Sequence, residues 1–229
     1  MSSRVQTAEK RTSKKSSLPL VKRFLFIIVI CCIQLIYLPT SERINGGIEP
    51  KLFLDIFPVW AVWVVPYVLC YPLWLASVLW AMFKMDDRMF RSFILAFIIT
   101  CAISISIFIS IPTYVPQAEI TGSDMFSALL RYIHENWGRY NAFPSGHIYI
   151  TSLLAFFYIR WYPHQKLLWI VILVIVSLST LFTAQHYVVD ILGGLFVAFV
   201  GYYQGLRWIG FSVGQVGMGE TRFPLSPPS

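Results

Sequence analysis

Two short segments of this chain carry residues whose types and spacing suit chemistry. The first is Pro144-Ser145-Gly146-His147. The second is His186-Tyr187-Val188-Val189-Asp190, with Ser179 seven residues ahead of its histidine. They hold two of the chain's four histidines. His186 and Asp190 are four apart in a helical segment and so share a face. A carboxylate in that place accepts the Nδ1 proton of the ring, fixes the tautomer and leaves Nε2 as a nucleophile or base. Taken alone, the pair also suits plain helix packing. The segment from Pro144 to His147 opens a helix after a loop. The Ser145 hydroxyl, the Gly146 amide and the next helical N–H groups point out of that end, where an anion, phosphate above all, is well held. His147 stands beside them, able to protonate a leaving oxygen. By itself this segment also reads as an N-cap with an incidental histidine.

Taken together, the two segments are more specific. One half supplies an anion cradle and an acid, the other an oriented nucleophile, and both lie at the same end of apolar segments. In-line displacement at phosphorus needs this set: a nucleophile on one side, an acid on the other, and donors around the equatorial oxygens.

The elements that must position them are membrane helices. The 229 residues are 57% hydrophobic and only 13% charged, against about a quarter charged in a soluble domain, and several apolar runs approach or reach the roughly 20 residues that cross a bilayer. The expected class is all-α, a polytopic membrane protein with six transmembrane helices. The expected segments are Phe24–Leu38, Val59–Phe83 with Pro66 and Pro72 inside it, Phe93–Ile111, Ile148–Tyr162, Leu167–Ala184 and Tyr187–Tyr203. A basic tail (1–23) precedes a single domain (24–207), and a Pro- and Ser-rich tail (208–229) follows, both tails expected to be disordered. Met125, Phe126, Leu129, Leu130, Ile133 and Trp137 form a stripe over 124–137. It predicts an amphipathic helix, either along the membrane surface or packed over the bundle. Gly194, Ala198, Gly201 and Gly205 have small-residue packing spacing.

With six helices, fourteen of the eighteen Lys and Arg fall in inner segments, and only Arg43, Lys51, Arg131 and Arg139 in outer loops. The positive-inside rule then places both termini in the cytoplasm and His147 and His186 at the outer face; the plasma membrane is the expected location. The formal charge of +7 is gathered at these flanks, which argues against nucleic acid as a partner. Cys31, Cys32, Cys70 and Cys101 all fall in apolar runs, and suit packing better than disulfides or zinc.

At the two histidine segments the chain resembles the type-2 phosphatidic acid phosphatase family, membrane relatives of the vanadium haloperoxidases. That family carries Pro-Ser-Gly-His, here Pro144 to His147. It also carries Ser-Arg, five residues, His, three residues, Asp. Here that motif runs from Ser179 to Asp190 with its spacing intact and Thr180 in place of the arginine. The family's first motif, a lysine, six residues, then Arg-Pro, has no match; with Pro116 as its proline, Phe108 and Val115 stand for the cations. The runs Tyr140–Phe143 and Thr183–Asp190 look closer to the inositol phosphorylceramide synthase-like branch, whose members transfer phosphoryl-alcohol headgroups.

The resemblance implies a haloperoxidase-like helical bundle and a lipid phosphatase or phosphotransferase that needs no metal or other cofactor. Catalysis would fall to His147, His186 and Asp190. His186 would form a phosphohistidine, Asp190 would orient it, and His147 would protonate the leaving alcohol. Ser145, Gly146 and Ser179 would bind phosphate oxygens. The missing cations favour a phosphodiester, with one negative charge, over a monoester with up to two. Arg139, and less so Arg131, are candidates for replacement charge. Three competing readings remain: a catalytically weakened or inactive lipid-binding or transport protein on the same bundle, a metal enzyme using His147, His186 and Asp190, and a serine hydrolase on Ser145, which lacks a GxSxG elbow. His134 and His164 have no motif around them.

Overall fold

The computed structural model describes residues 18–36, 46–136 and 140–210. Most of the expected tails, together with Tyr37, Leu38, Trp137 and Arg139, lie outside the described residues. The described residues form seven α-helices: α1 (Leu20–Leu35), α2 (Val64–Lys84), α3 (Asp87–Ser110), α4 (Met125–Asn136), α5 (Gly146–Trp161), α6 (Lys166–Phe182) and α7 (Val188–Trp208). Short 3₁₀ turns, Ala61–Trp63 and Pro163–Gln165, lead into α2 and α6. Four stretches are long and apolar enough to cross a membrane: Ala61–Lys84, Asp87–Ser110, Pro163–Phe182 and Val188–Trp208. The other two expected spans, α1 and α5, have 16 residues each, about 24 Å of helix.

Local chemistry moves several boundaries from their expected places. Asp86 accepts from the amides of Arg88 and Met89, capping α3. The charged residues between the expected segments Val59–Phe83 and Phe93–Ile111 are therefore helical from Asp87 onward. Pro66 falls in the first turn of α2, where its missing N–H costs nothing, and only Pro72 lies in the helix interior. The stripe on α4 is rotated from expectation. Leu130, Ile133, Ser127 and His134 are buried, whereas Met125 and Leu129 are exposed. Leu130 and Ile133 pack with Val64 and Tyr67 of α2, so α4 is docked on the bundle. Asp124 caps it through the Phe126 and Ser127 amides, and hydrogen bonds from Ser127 hold its carboxyl below the usual range.

Helices α1, α2, α3, α5, α6 and α7 alternate in direction. At one end Arg23 of α1 donates to the Met82 and Met85 carbonyls at 2.8 and 2.6 Å and pairs with Asp87 at 2.6 Å. Its guanidinium lies 4.7 Å from the Phe90 ring centroid. Arg88 donates to the Ile209 and Gly210 carbonyls, so the described chain begins and ends at this same end. Toward the other end, Gln34 of α1 accepts from the Tyr149 hydroxyl of α5 at 2.9 Å.

Helices α3 and α7 form the closest pair. A Cβ on Gly201 would stand 2.0 Å from the Thr100 hydroxyl, and one on Gly205 would stand 2.6 Å from the Ser92 carbonyl. This is the close approach expected of small-residue spacing. Phe90, Phe93 and Phe97 of α3, Phe157 and Tyr158 of α5, Trp169 of α6 and Leu206 of α7 belong to the main core. Gly194 brings α7 against α5 instead, where a Cβ would meet the Ser145 carbonyl at 2.9 Å and Ile148 at 2.8 Å.

Candidate active site

The two histidine segments meet where α5 and α7 begin. Ser145 is the N-cap of α5, its carbonyl accepting from Ile148 and Tyr149. Its amide donates to the Asp190 carbonyl at 3.0 Å, which ties one segment to the other through backbone. The Ser145 hydroxyl makes no cap bond; it is buried without a partner.

His186 is set by the corner between α6 and α7. Helix α6 ends at Phe182, and Ala184 takes a left-handed φ of 51°. The Thr180 carbonyl then receives the amides of Gln185 and His186 at 3.0 and 3.2 Å. Thr180 thus fixes the histidine through its backbone, while its hydroxyl bonds back to Ser177. Asp190 sits in the first turn of α7, fully buried, and its Oδ2 accepts from the Tyr187 amide at 2.9 Å. The same oxygen lies 3.3 Å from Nδ1 of His186. The contact is long for a charge-assisted bond, but its partners leave one assignment of the proton: Nδ1–H donates, and Nε2 faces away from the carboxylate. The second oxygen, Oδ1, is buried without a partner.

His147 lies across from it, the two ring centroids 6.1 Å apart. Its ring is stacked on Tyr67 at 4.2 Å and flanked by Tyr71 at 5.5 Å and Trp74 at 5.4 Å. Trp74 Nε1 donates to the Thr151 hydroxyl, which donates to the His147 carbonyl. Nε2 of His147 is buried without a partner. Buried polar atoms normally find partners. Here Ser145 Oγ, His147 Nε2 and Asp190 Oδ1 leave theirs open, all within the two segments that meet where α5 and α7 begin.

The structure therefore gathers His147, His186, Asp190, Ser145 and Gly146. Ser179 is buried in the last turn of α6, and its hydroxyl donates to the Val176 carbonyl at 2.7 Å. Arg131 donates to the Ile120 and Gly122 carbonyls and closes a loop. Phe108, Val115 and Thr180 are all buried. Among the described residues no cluster of His, Cys, Asp and Glu has the grouping of a metal site.

A model of the PAP2 superfamily matches residues 53–204, well over half of the chain. The chain belongs to the PAP2 superfamily. The matched span contains both histidine segments, helices α2 to α6 and all but the last turn of α7. The superfamily comprises phosphatases and phosphotransferases, so the membership supports a membrane protein of phosphatase type. A search of curated proteins found no match.

Within this PAP2 chain three groups were not singled out by their sequence. Asp55 is buried in the loop before α2 and accepts from the Val188 amide at 2.8 Å and the Leu52 amide at 2.7 Å, capping α7. No spacing marks it, because it lies 133 residues from its partner. His134 is the second. Its Nε2–H donates to the Thr183 carbonyl at 2.9 Å, pinning α4 to the corner that carries His186, and burial holds its pKa below 6.5. The third group is aromatic. Trp60, Trp63, Tyr67, Tyr71 and Trp74 recur at three and four residues, one face of a helix. The first two stack on Phe182 at the end of α6, and the last three surround His147. That spacing was the legible signal.

Proposed function

We propose that this protein is an integral membrane phosphatase or phosphotransferase that acts on a lipid phosphate ester through a phosphohistidine on His186. The observation that carries the reading is the pair of facing imidazoles, one oriented by a buried carboxylate and the other with an open buried nitrogen. Nε2 of His186 attacks phosphorus while the P–O bond to the leaving alcohol breaks. Protonated His147 gives its Nε2 proton to the departing oxygen. In the second half His147 takes a proton from water or an acceptor hydroxyl as that oxygen attacks phosphorus. The P–N bond then breaks and His186 is regenerated. Asp190 stabilises the charge on His186 throughout. Ser145 and the Gly146 amide hold phosphate oxygens at the positive end of α5, and Ser179 joins them by turning its hydroxyl from Val176. No metal takes part.

Six transmembrane helices, inner termini and an outer active site in the plasma membrane complete the proposal, supported by the positive-inside distribution. The substitution of Phe108, Val115 and Thr180 at the motif cations supports a phosphodiester substrate and headgroup transfer, as in the inositol phosphorylceramide synthase-like branch. Arg139, the outer-loop cation nearest His147 in sequence, supplies replacement charge. The same substitutions support the second reading, a weakened or inactive member that binds or moves lipids.

Trapping the covalent intermediate tests the enzyme reading. Purified protein turning over a phosphorus-labelled lipid, with chelator present, is quenched in base, in which phosphohistidine survives. Label on the peptide containing His186, absent from His186→Ala, is the expected result. Turnover without a labelled protein would contradict the mechanism. Folded protein inert on phosphatidic acid, isoprenyl pyrophosphate and phosphodiester lipids would favour the second reading.

A further inference from the structure

The aromatic face of α2 is larger than the packing of His147 requires. Tyr67 and Trp74 are turned inward, but Tyr71, which flanks His147, and Trp60, which precedes α2 and stacks on Phe182, keep 41% and 51% of their surface exposed. An aromatic belt at the bilayer surface accounts for exposed rings. It does not account for a continuous stripe that reaches from Phe182 to the histidine itself.

The described charged side chains that contact the segment from His186 to Asp190 are carboxylates. Asp190 lies under His186, Asp55 caps the same helix, and Glu49 accepts from the Tyr187 hydroxyl at 2.5 Å. Burial first, then the Glu49 hydrogen bond and the three carboxylates, push the Tyr187 phenol above its ordinary range. The positions matched to the motif cations carry Phe108, Val115 and Thr180, and Arg131 is turned to loop carbonyls. Such surroundings repel a phosphate dianion and attract a cation. Aromatic faces with nearby carboxylates are the chemistry that recognises quaternary ammonium groups.

Resting on the reading of His186 as the attacking group, we propose that the α2 aromatic stripe and the Glu49–Asp55 rim form a headgroup subsite for a trimethylammonium, so that the substrate is a zwitterionic choline phosphodiester lipid. The headgroup brings its own positive charge next to the phosphate, which offsets the lost cations of the motif. A primary ammonium is more strongly hydrated and fits an aromatic wall less well, so an ethanolamine headgroup ranks below choline. A neutral glycerol headgroup ranks last.

The test uses soluble dihexanoyl lipids and the full chain in maltoside detergent. Binding to His186→Ala is read by displacement of a fluorescent choline lipid, and turnover is read on wild type. The expected order is choline, then ethanolamine, then glycerol. Tyr71→Leu is expected to weaken choline binding about tenfold and to leave the glycerol lipid within about twofold, while Tyr71→Phe keeps the preference. Trp60→Leu, at a more exposed ring, serves if Tyr71→Leu does not fold. Failure of the choline lipid to bind, or equal displacement by the glycerol lipid, overturns the subsite. Choline binding without wild-type turnover keeps the subsite and sinks the enzyme reading. Turnover with no headgroup preference does the reverse.

Discussion

The two ends of the bundle treat buried polar groups in opposite ways. Tyr67 in the first turn of α2 and Met85 just past its last residue mark them, eighteen residues or about 27 Å apart along a helix. At the Met85 end the buried guanidinium of Arg23 is used on two carbonyls, one carboxylate and one ring. At the Tyr67 end Ser145, His147 and Asp190 each keep a buried polar atom without a partner. Buried polar atoms without a partner also occur at Ser92, Ser104, His134, Ser152 and Trp169, but those are spread over four helices at both ends and the middle of the bundle. The three at the site belong to the two segments joined by the Ser145–Asp190 backbone hydrogen bond. A satisfied cluster holds elements together, whereas an open one is costly to fold and has its use when something binds. The difference separates a structural end from a chemical one.

The contrast can be broken by substitution at either end. Of three substitutions away from His186 itself, the largest effect is expected from Asp190→Asn. It removes the charge that orients His186 and lowers turnover by on the order of 10³-fold, with the melting temperature little changed, since an amide keeps the shape. Parallel assays of turnover and thermal unfolding check it. A large fall in stability with proportionate loss of activity would make Asp190 a packing residue.

Arg23→Met should do the converse. Asp87 is partly exposed, so the loss falls between surface and buried ion pairs, about 2 kcal/mol. Turnover per folded molecule stays the same. Chemical unfolding and active-site titration separate the two quantities, and a change in turnover would erase the distinction between the ends.

The smallest effect concerns His134, which belongs to the site end but is structural. It is neutral when folded, with its pKa lowered by burial. The unfolded chain takes up a proton near pH 6.5, the folded chain only below that. Stability is therefore level above pH 6.5 and falls as the pH drops beneath it. His134→Leu should flatten this slope in melts between pH 5 and 8. An unchanged slope would place its origin at another group.

Much of the site was legible in the sequence because its chemistry is local. Pro144 to His147 is one helix start, and His186 with Asp190 is one helix turn. Helix identity was legible from apolar runs. The start of α3 was missed because Asp86 caps it within a charged stretch that reads as a turn. The face of α4 was misplaced because its partner, Val64 with Tyr67, decides which side is buried, and periodicity alone treats Met125 and Leu130 alike. Asp55 and His134 were invisible, since each acts through backbone groups distant in the chain. Thr180 read only as a lost arginine. Its carbonyl turns out to hold His186.

One comparison tests the central claim most directly: lipid turnover by wild type and His186→Ala in the same detergent, with thermal unfolding measured on both. Turnover lost by on the order of 10⁴-fold with an unchanged melting temperature is the predicted result. His186→Ala that is equally active, or that loses activity only as it unfolds, would contradict the account and make the open cluster a feature of the fold alone.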